Sequence, residues 1–168
     1  SGDARDFKVD ASGANPKHVG RRDWHLYEDY KRVNENKLAN YAFIENIEMA
    51  FVEIDHEGHL FVQFDATLHL PRSVILEVTK FFETERRGKG QGRIYVRGVS
   101  YRYNAWIEGR HNILRYDNGH DFDDFHGHWW DKDTGDLLDC RSMSRDEFPL
   151  FSEVIEEIDK IMGFTADD

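Results

Sequence analysis

The chain has 168 residues, of which 39% are apolar and 14% aromatic, enough to bury the core of one domain and to exclude disorder throughout. No run approaches the roughly eighteen apolar residues of a membrane span, and no apolar h-region occupies the first forty positions, so a soluble cytoplasmic protein with no membrane partner is expected. The net charge of -11 excludes indiscriminate polyphosphate binding, and the single cysteine, Cys140, excludes an internal disulfide and a multi-cysteine zinc site.

Residues 1–22 are polar, contain Gly, Pro and Asn, and show no apolar period; they read as a flexible arm ahead of a single domain over 23–168. Asp23 then stands as an N-cap candidate before "WHLYEDYKRV", where Trp24, Tyr27, Tyr30 and Val33 recur at helical spacing. From about residue 45 the period changes to two. Ile47, Met49 and Phe51 alternate with polar or small residues, "DHEG" at 55–58 has turn chemistry, and Leu60, Val62, Phe64, Ala66, Leu68 and Leu70 alternate again. This predicts a hairpin with one buried face. After Pro71 a third strand is expected, with Val74, Leu76 and Val78 inward. "RRGKGQG" at 86–92 reads as a basic link, and "RIYVRGVSYRYNAWI" returns to extended chemistry.

A fifth strand is expected in "RHNILRYD", Asn118-Gly119 supplies a φ > 0 pair for a tight turn, and a short sixth strand follows around 126–131. Near the end, Phe151, Val154, Ile155, Ile158, Ile161 and Met162 form one helical stripe, and Gly163 is the expected stop. Ser144 and Glu147 have capping-box spacing, while Pro149 argues for a start a few residues later. The expected class is α+β: a mainly antiparallel meander of five or six strands, a C-terminal helix on one face and a short N-terminal helix.

Charge is unevenly spread. Residues 86–115 hold eight basic residues against Glu108 alone, whereas 116–168 hold four bases and sixteen acids. Arg86, Arg87, Lys89, Arg93, Arg97 and Arg102 are therefore candidates for tracking an anionic backbone such as RNA; the plainer reading is neutralisation across neighbouring strands. Tyr101, Tyr103 and Trp106, interleaved with arginines, have the chemistry for base stacking, although sheet packing is the commoner use.

Residues 111–131, "HNILRYDNGHDFDDFHGHWWD", concentrate four of the nine histidines. On extended chain Arg115 and Asp117 share one face, and His126 and His128 share another, with Gly127 and Trp129 opposite. Together with His120 these residue types admit two chemistries. In the first, RNA is cleaved by its own 2′-hydroxyl: Arg115 holds the phosphate, Asp117 orients a histidine, and His126 and His128 share acid and base work. In the second, His120, His126, His128 and Asp117 bind a divalent transition-metal ion, hydrolytic or structural. A solvated loop with no chemistry is the third reading. Trp129 and Trp130 suit core or interface anchoring.

"LRYDNGH" followed by "HGH", preceded by "LFVQFDATLHLPRSVILEVTKFFE" and "YRYNAW" and followed by "FSEVIEEIDKI", resembles the TumE-type toxins of toxin-antitoxin pairs over residues 46–162. Arg115, Tyr116, Asp117 and Asn118 match that family's RYDN segment, and His120, His126 and His128 match its histidine positions. The family's paired histidines are here split by Gly127, its prolines before them are missing, and residues 1–40 have no counterpart. The resemblance implies a growth-inhibiting protein that acts on RNA as a ribonuclease and is held in check by a cognate antitoxin protein. An interaction module of the same fold is the alternative, and a homo-oligomer stays open.

Overall fold

The computed structural model describes residues 24–90, 92–119 and 124–166. The polar arm over 1–22, the cap candidate Asp23 and His120 lie outside them. The described residues form one eight-stranded antiparallel sheet and two helices: β1 (His25–Leu26), α1 (Tyr27–Leu38), β2 (Asn46–His56), β3 (His59–Leu70), β4 (Val74–Arg87), β5 (Arg93–Ile107), β6 (Asn112–Asp117), β7 (Phe125–Trp130), β8 (Leu137–Met143) and α2 (Phe151–Met162). The strands from β2 to β8 neighbour one another in chain order, a pure meander, and β1 pairs with the N-terminal half of β5.

The alternation in β3 and β4 sets the layers. Val62, Phe64, Ala66, Leu68 and Leu70 are buried with their cross-strand partners Val74, Leu76 and Val78, as the period of two predicts. On this face lie both helices. Phe151, Val154, Ile155 and Ile158 of α2 join the core, with the Phe151 ring 6.3 Å from Phe64 and 6.1 Å from Tyr103, while Tyr30 of α1 packs 5.0 Å from Phe82. Lys80, also on this face, is fully buried with Nζ 3.1 Å from the Tyr30 hydroxyl and 5.3 Å from the Phe151 ring. The opposite face of the sheet is covered by neither helix.

Helix α2 starts after Pro149, with the Leu150 N–H donating to Glu153 at 2.8 Å, and ends at Gly163 in the left-handed region (φ 71°). Ser144 and Glu147 do bond reciprocally, but they close the turn that precedes the helix. Arg72, itself at φ 58° beyond Pro71, donates to the carbonyls of Met162 and Gly163 and so satisfies the helix end. Tyr116 and the Trp129 indole both donate to Glu157, at 2.5 and 2.9 Å, fixing the same helix to β6 and β7.

Four expectations need correction. The first helix starts at Tyr27, because His25 and Leu26 are drawn into pairing with Val96 and Tyr95. The described residues form eight strands, since β1 and β8 carry no readable period and β8 is exposed along nearly its whole length. Arg86 and Arg87 belong to β4, which runs two residues into the basic link. Asn118 and Gly119 do not adopt positive φ. Instead Asn118 is fully buried; its Oδ1 accepts from the Tyr101 N–H at 2.7 Å and its Nδ2 donates to the Val99 carbonyl at 3.0 Å. Those groups flank the bulge at which β5 slips one residue against Phe81 and Phe82.

Candidate functional site on the open sheet face

The alternation that buries Leu114 and Tyr116 in β6 turns Arg115 and Asp117 to the open face, and the same parity in β7 turns out His126 and His128. The register brings them together. Asp117 lies opposite His126, and Arg115 opposite His128. On the other side, β5 places Arg102 opposite Asp117 and Asn104 opposite Arg115. Three adjacent strands thus contribute two cross-strand rows of charged and polar groups, each step about 4.8 Å.

Gly127 is why β7 can do this. Its backbone faces the helix layer, where an added Cβ would stand 2.5 Å from Cη2 of Trp129 and 3.0 Å from Cε of Met143. The Trp129 indole therefore lies across the glycine, held by Glu157 and covered by the Arg141 guanidinium 4.4 Å from its ring. The histidines on either side project the other way.

Within the cluster, Nε of Arg115 donates to Oδ2 of Asp117 at 2.9 Å, and Oδ1 of Asp117 accepts from the Gly119 N–H at 3.4 Å. Arg115 is exposed and Asp117 largely enclosed, and Nε is the guanidinium nitrogen that the carboxylate takes. Among the described residues, Asp117 does not bond a histidine. The carboxylate within reach of His126 is that of Asp124, with Oδ2 3.3 Å from Nε2, an ion pair when the ring carries both protons. The His128 ring stacks on Trp130 (5.8 Å, 17°), and its Nδ1 is buried with no hydrogen-bond partner among the described residues. Oδ1 of Asn104 is in the same condition. Arg102 is exposed and makes no ion pair among the described residues.

The other basic candidates are dispersed along the β4–β5 hairpin. Arg87 pairs with Glu85 and Arg97 with Glu83, each at 3.1 Å, and both guanidinium groups stack near the Trp24 ring. For these two, neutralisation across or along the strands holds. Arg86 is the last residue but one of β4, Lys89 occupies the hairpin tip and Arg93 opens β5. Arg102 alone of this set joins the cluster, about 16 Å along β5 from Arg97. Tyr101 and Tyr103 are buried against Phe148, and Trp106 stands on the open face.

Among the described residues, no three His, Cys, Asp or Glu side chains converge as a metal ion requires; His120, the fourth member of that set, lies outside them. Cys140 is exposed opposite His128, on the neighbouring strand. Asn104 is the residue that sequence reading missed. The signal was present, since the alternation in "YRYNAW" that buries Tyr101 and Tyr103 necessarily turns Arg102 and Asn104 to the face of Arg115. Compared with known proteins, the chain matches no family model, no curated protein and no solved structure.

Proposed function

We propose that the open face is a ribonuclease site, in a toxin-type protein that acts on RNA. One observation carries this reading: Arg115, His126 and His128 occupy adjacent positions on the sheet face that neither helix covers, with Asp117 locking the arginine and Arg102 adding a second cation. Cleavage by the substrate's own 2′-hydroxyl needs such a set. Arg115, exposed on this face, takes the scissile phosphate, as a guanidinium suits a phosphate's paired oxygens. His128, opposite Arg115 in the register, takes the 2′-hydroxyl proton. The 2′-oxygen bonds to phosphorus, the bond from phosphorus to the 5′-oxygen breaks, and His126, facing Asp124, gives its proton to that oxygen. The products are a 2′,3′-cyclic phosphate and a 5′-hydroxyl, and the two histidines have exchanged protonation states. Arg102 and Arg115 stabilise the negative charge that grows on the phosphoryl oxygens.

The test is cleavage of a labelled single-stranded RNA in the presence of chelator. The wild-type protein cleaves; Arg115→Ala and His128→Ala, folded by circular dichroism, lose about a hundredfold or more in rate. Activity that dies in chelator and returns with added divalent ion would move the reading to the metal alternative, and cleavage undiminished in both variants would remove it.

A second reading, an interaction module that docks a partner such as an antitoxin, is favoured by β8. This strand sits at the sheet edge with Leu137 58% and Leu138 64% exposed, and an open edge accepts another chain's strand. Partner binding abolished by Leu138→Lys, with no RNA cleavage by either protein, would establish that role instead.

A further inference from the structure

Strand β8 ends the sheet among the described residues, and of its seven residues only Met143 is not exposed. Its outer backbone groups are a template for another strand. Charges on an edge discourage a strand of arbitrary sequence, and β8 carries one of each sign: Asp139 and Arg141, both more than half exposed, with Oδ2 and Nε 3.2 Å apart along the strand. A copy of β8 complements them. Cys140 is the middle residue of Leu137–Met143, so an antiparallel pairing about a two-fold axis at Cys140 matches the strand along its whole length. Cys140 then faces Cys140 of the second copy, Asp139 faces Arg141, Leu138 faces Ser142 and Leu137 faces Met143. Centred one residue to either side, the pairing sets Asp139 against Asp139 or Arg141 against Arg141, and like charges directly opposite are destabilising. The extra residue that β8 carries at Leu138, against Trp129 and Trp130, lies beyond the three central pairs. The chain has a net charge of -11, yet β8 itself is balanced, one acid against one base.

We infer that β8 is the docking edge for a second copy of this chain, paired antiparallel in the register centred on Cys140. Backbone bonds between the two edges supply the attachment, and the two reciprocal Asp139–Arg141 pairs set the register. The two-fold axis stands perpendicular to the sheet, so the open faces of the two copies become one face. The row through Arg115, His128 and Cys140 runs on into its own copy, which places the two Arg115 positions about 24 Å apart, five strand spacings. The pairing stands whether or not that face cleaves RNA.

The experiment is sedimentation of the full chain at high micromolar concentration, with charge reversals at the two exposed positions. The wild type sediments at twice the 19.8 kDa of one chain. Asp139→Arg sets two arginines against two in the paired edges and Arg141→Asp sets four acids together, so each variant alone, folded by circular dichroism, associates about tenfold more weakly or worse. Mixed, the two variants again oppose unlike charges and recover the dimer. A reading on the wild-type chain needs no variant: Cys140 is its sole thiol and is exposed, and directly opposite Cα atoms lie about 4.5–5.5 Å apart, so a short bismaleimide joins two chains through it. A monomeric wild type leaves the edge to another segment of the chain or to another protein and overturns the inference. A dimer that both variants keep uses a different surface, and variants that stay apart when mixed, or a wild-type dimer that the reagent does not join, refute the register; each of these overturns it too.

Discussion

Replacing Gly127 by alanine tests the device that aims both histidines. The added methyl carbon would start 2.5 Å from Cη2 and 3.0 Å from Cζ3 of Trp129, and 3.0 Å from Cε of Met143. Carbon atoms rest at about 3.5–4.0 Å, so the indole must retreat by roughly 1 Å or more. Met143, unbranched and near the surface, gives way easily; the indole does not, because Nε1 is bonded to Glu157 at 2.9 Å and Arg141 covers the ring. Overpacking of this kind costs about 1–3 kcal/mol. Breaking the bond to the Glu157 carboxylate adds about 1.5–3 kcal/mol. Urea unfolding followed by tryptophan fluorescence measures both the midpoint and the indole environment, and the overpacking alone lowers Tm by about 2–12 °C. Gly119→Ala is the control, its new carbon meeting nothing nearer than 3.9 Å among the described residues, and changes stability by less than about 0.5 kcal/mol. Wild-type stability and fluorescence in Gly127→Ala would refute the placement of Trp129 across the glycine, and with it the reason for the His-Gly-His order.

Asn118→Ala removes the acceptor of the Tyr101 N–H and the donor to the Val99 carbonyl at the β5 bulge, and lowers stability by about 2–5 kcal/mol in chemical unfolding. Alkaline titration separates three tyrosines from the ordinary value of 10.0: burial, and then the Glu53 charge, pushes Tyr27 up to about 12, while burial followed by a carboxylate bond raises Tyr41 beside Glu156 and Tyr116 beside Glu157. Because the folded phenols keep their protons after the unfolded ones have lost theirs, their contribution is complete below pH 10 and falls as pH rises towards 12. Phenolate absorbance at 295 nm, a wavelength of about that value, should show Glu157→Gln lowering the Tyr116 midpoint; an unchanged curve would contradict the role given to Glu157.

The layers were legible where one face of a strand is buried. In β3 every second residue from Val62 to Leu70 is buried, and that period fixed the strand, its face and the parity later needed in β6 and β7. Strand β8 was hidden because its residues from Leu137 to Ser142 are exposed on both faces and backbone pairing with β7 alone holds them extended. Asn118 was misread for a different reason. Its partners at Val99 and Tyr101 lie across the hairpin at a bulge, and nothing local distinguishes such a strut from a turn residue. In the site, alternation was sufficient to pair Arg115 with Asp117 and His126 with His128 on one face, but not to say which carboxylate meets which base. Local order decides that: Nε of Arg115 reaches Asp117 along the same strand, leaving Asp124 beside His126.

The central claim is that a phosphodiester bond is broken on this face by the neighbouring 2′-hydroxyl. Mass analysis of the fragments left from a defined RNA, produced in chelator, reads that chemistry directly. The expected ends are a 2′,3′-cyclic phosphate on one fragment and a 5′-hydroxyl on the other, both absent with His128→Ala. Fragments that carry a 5′-phosphate, or an intact strand after incubation with folded protein, would contradict it.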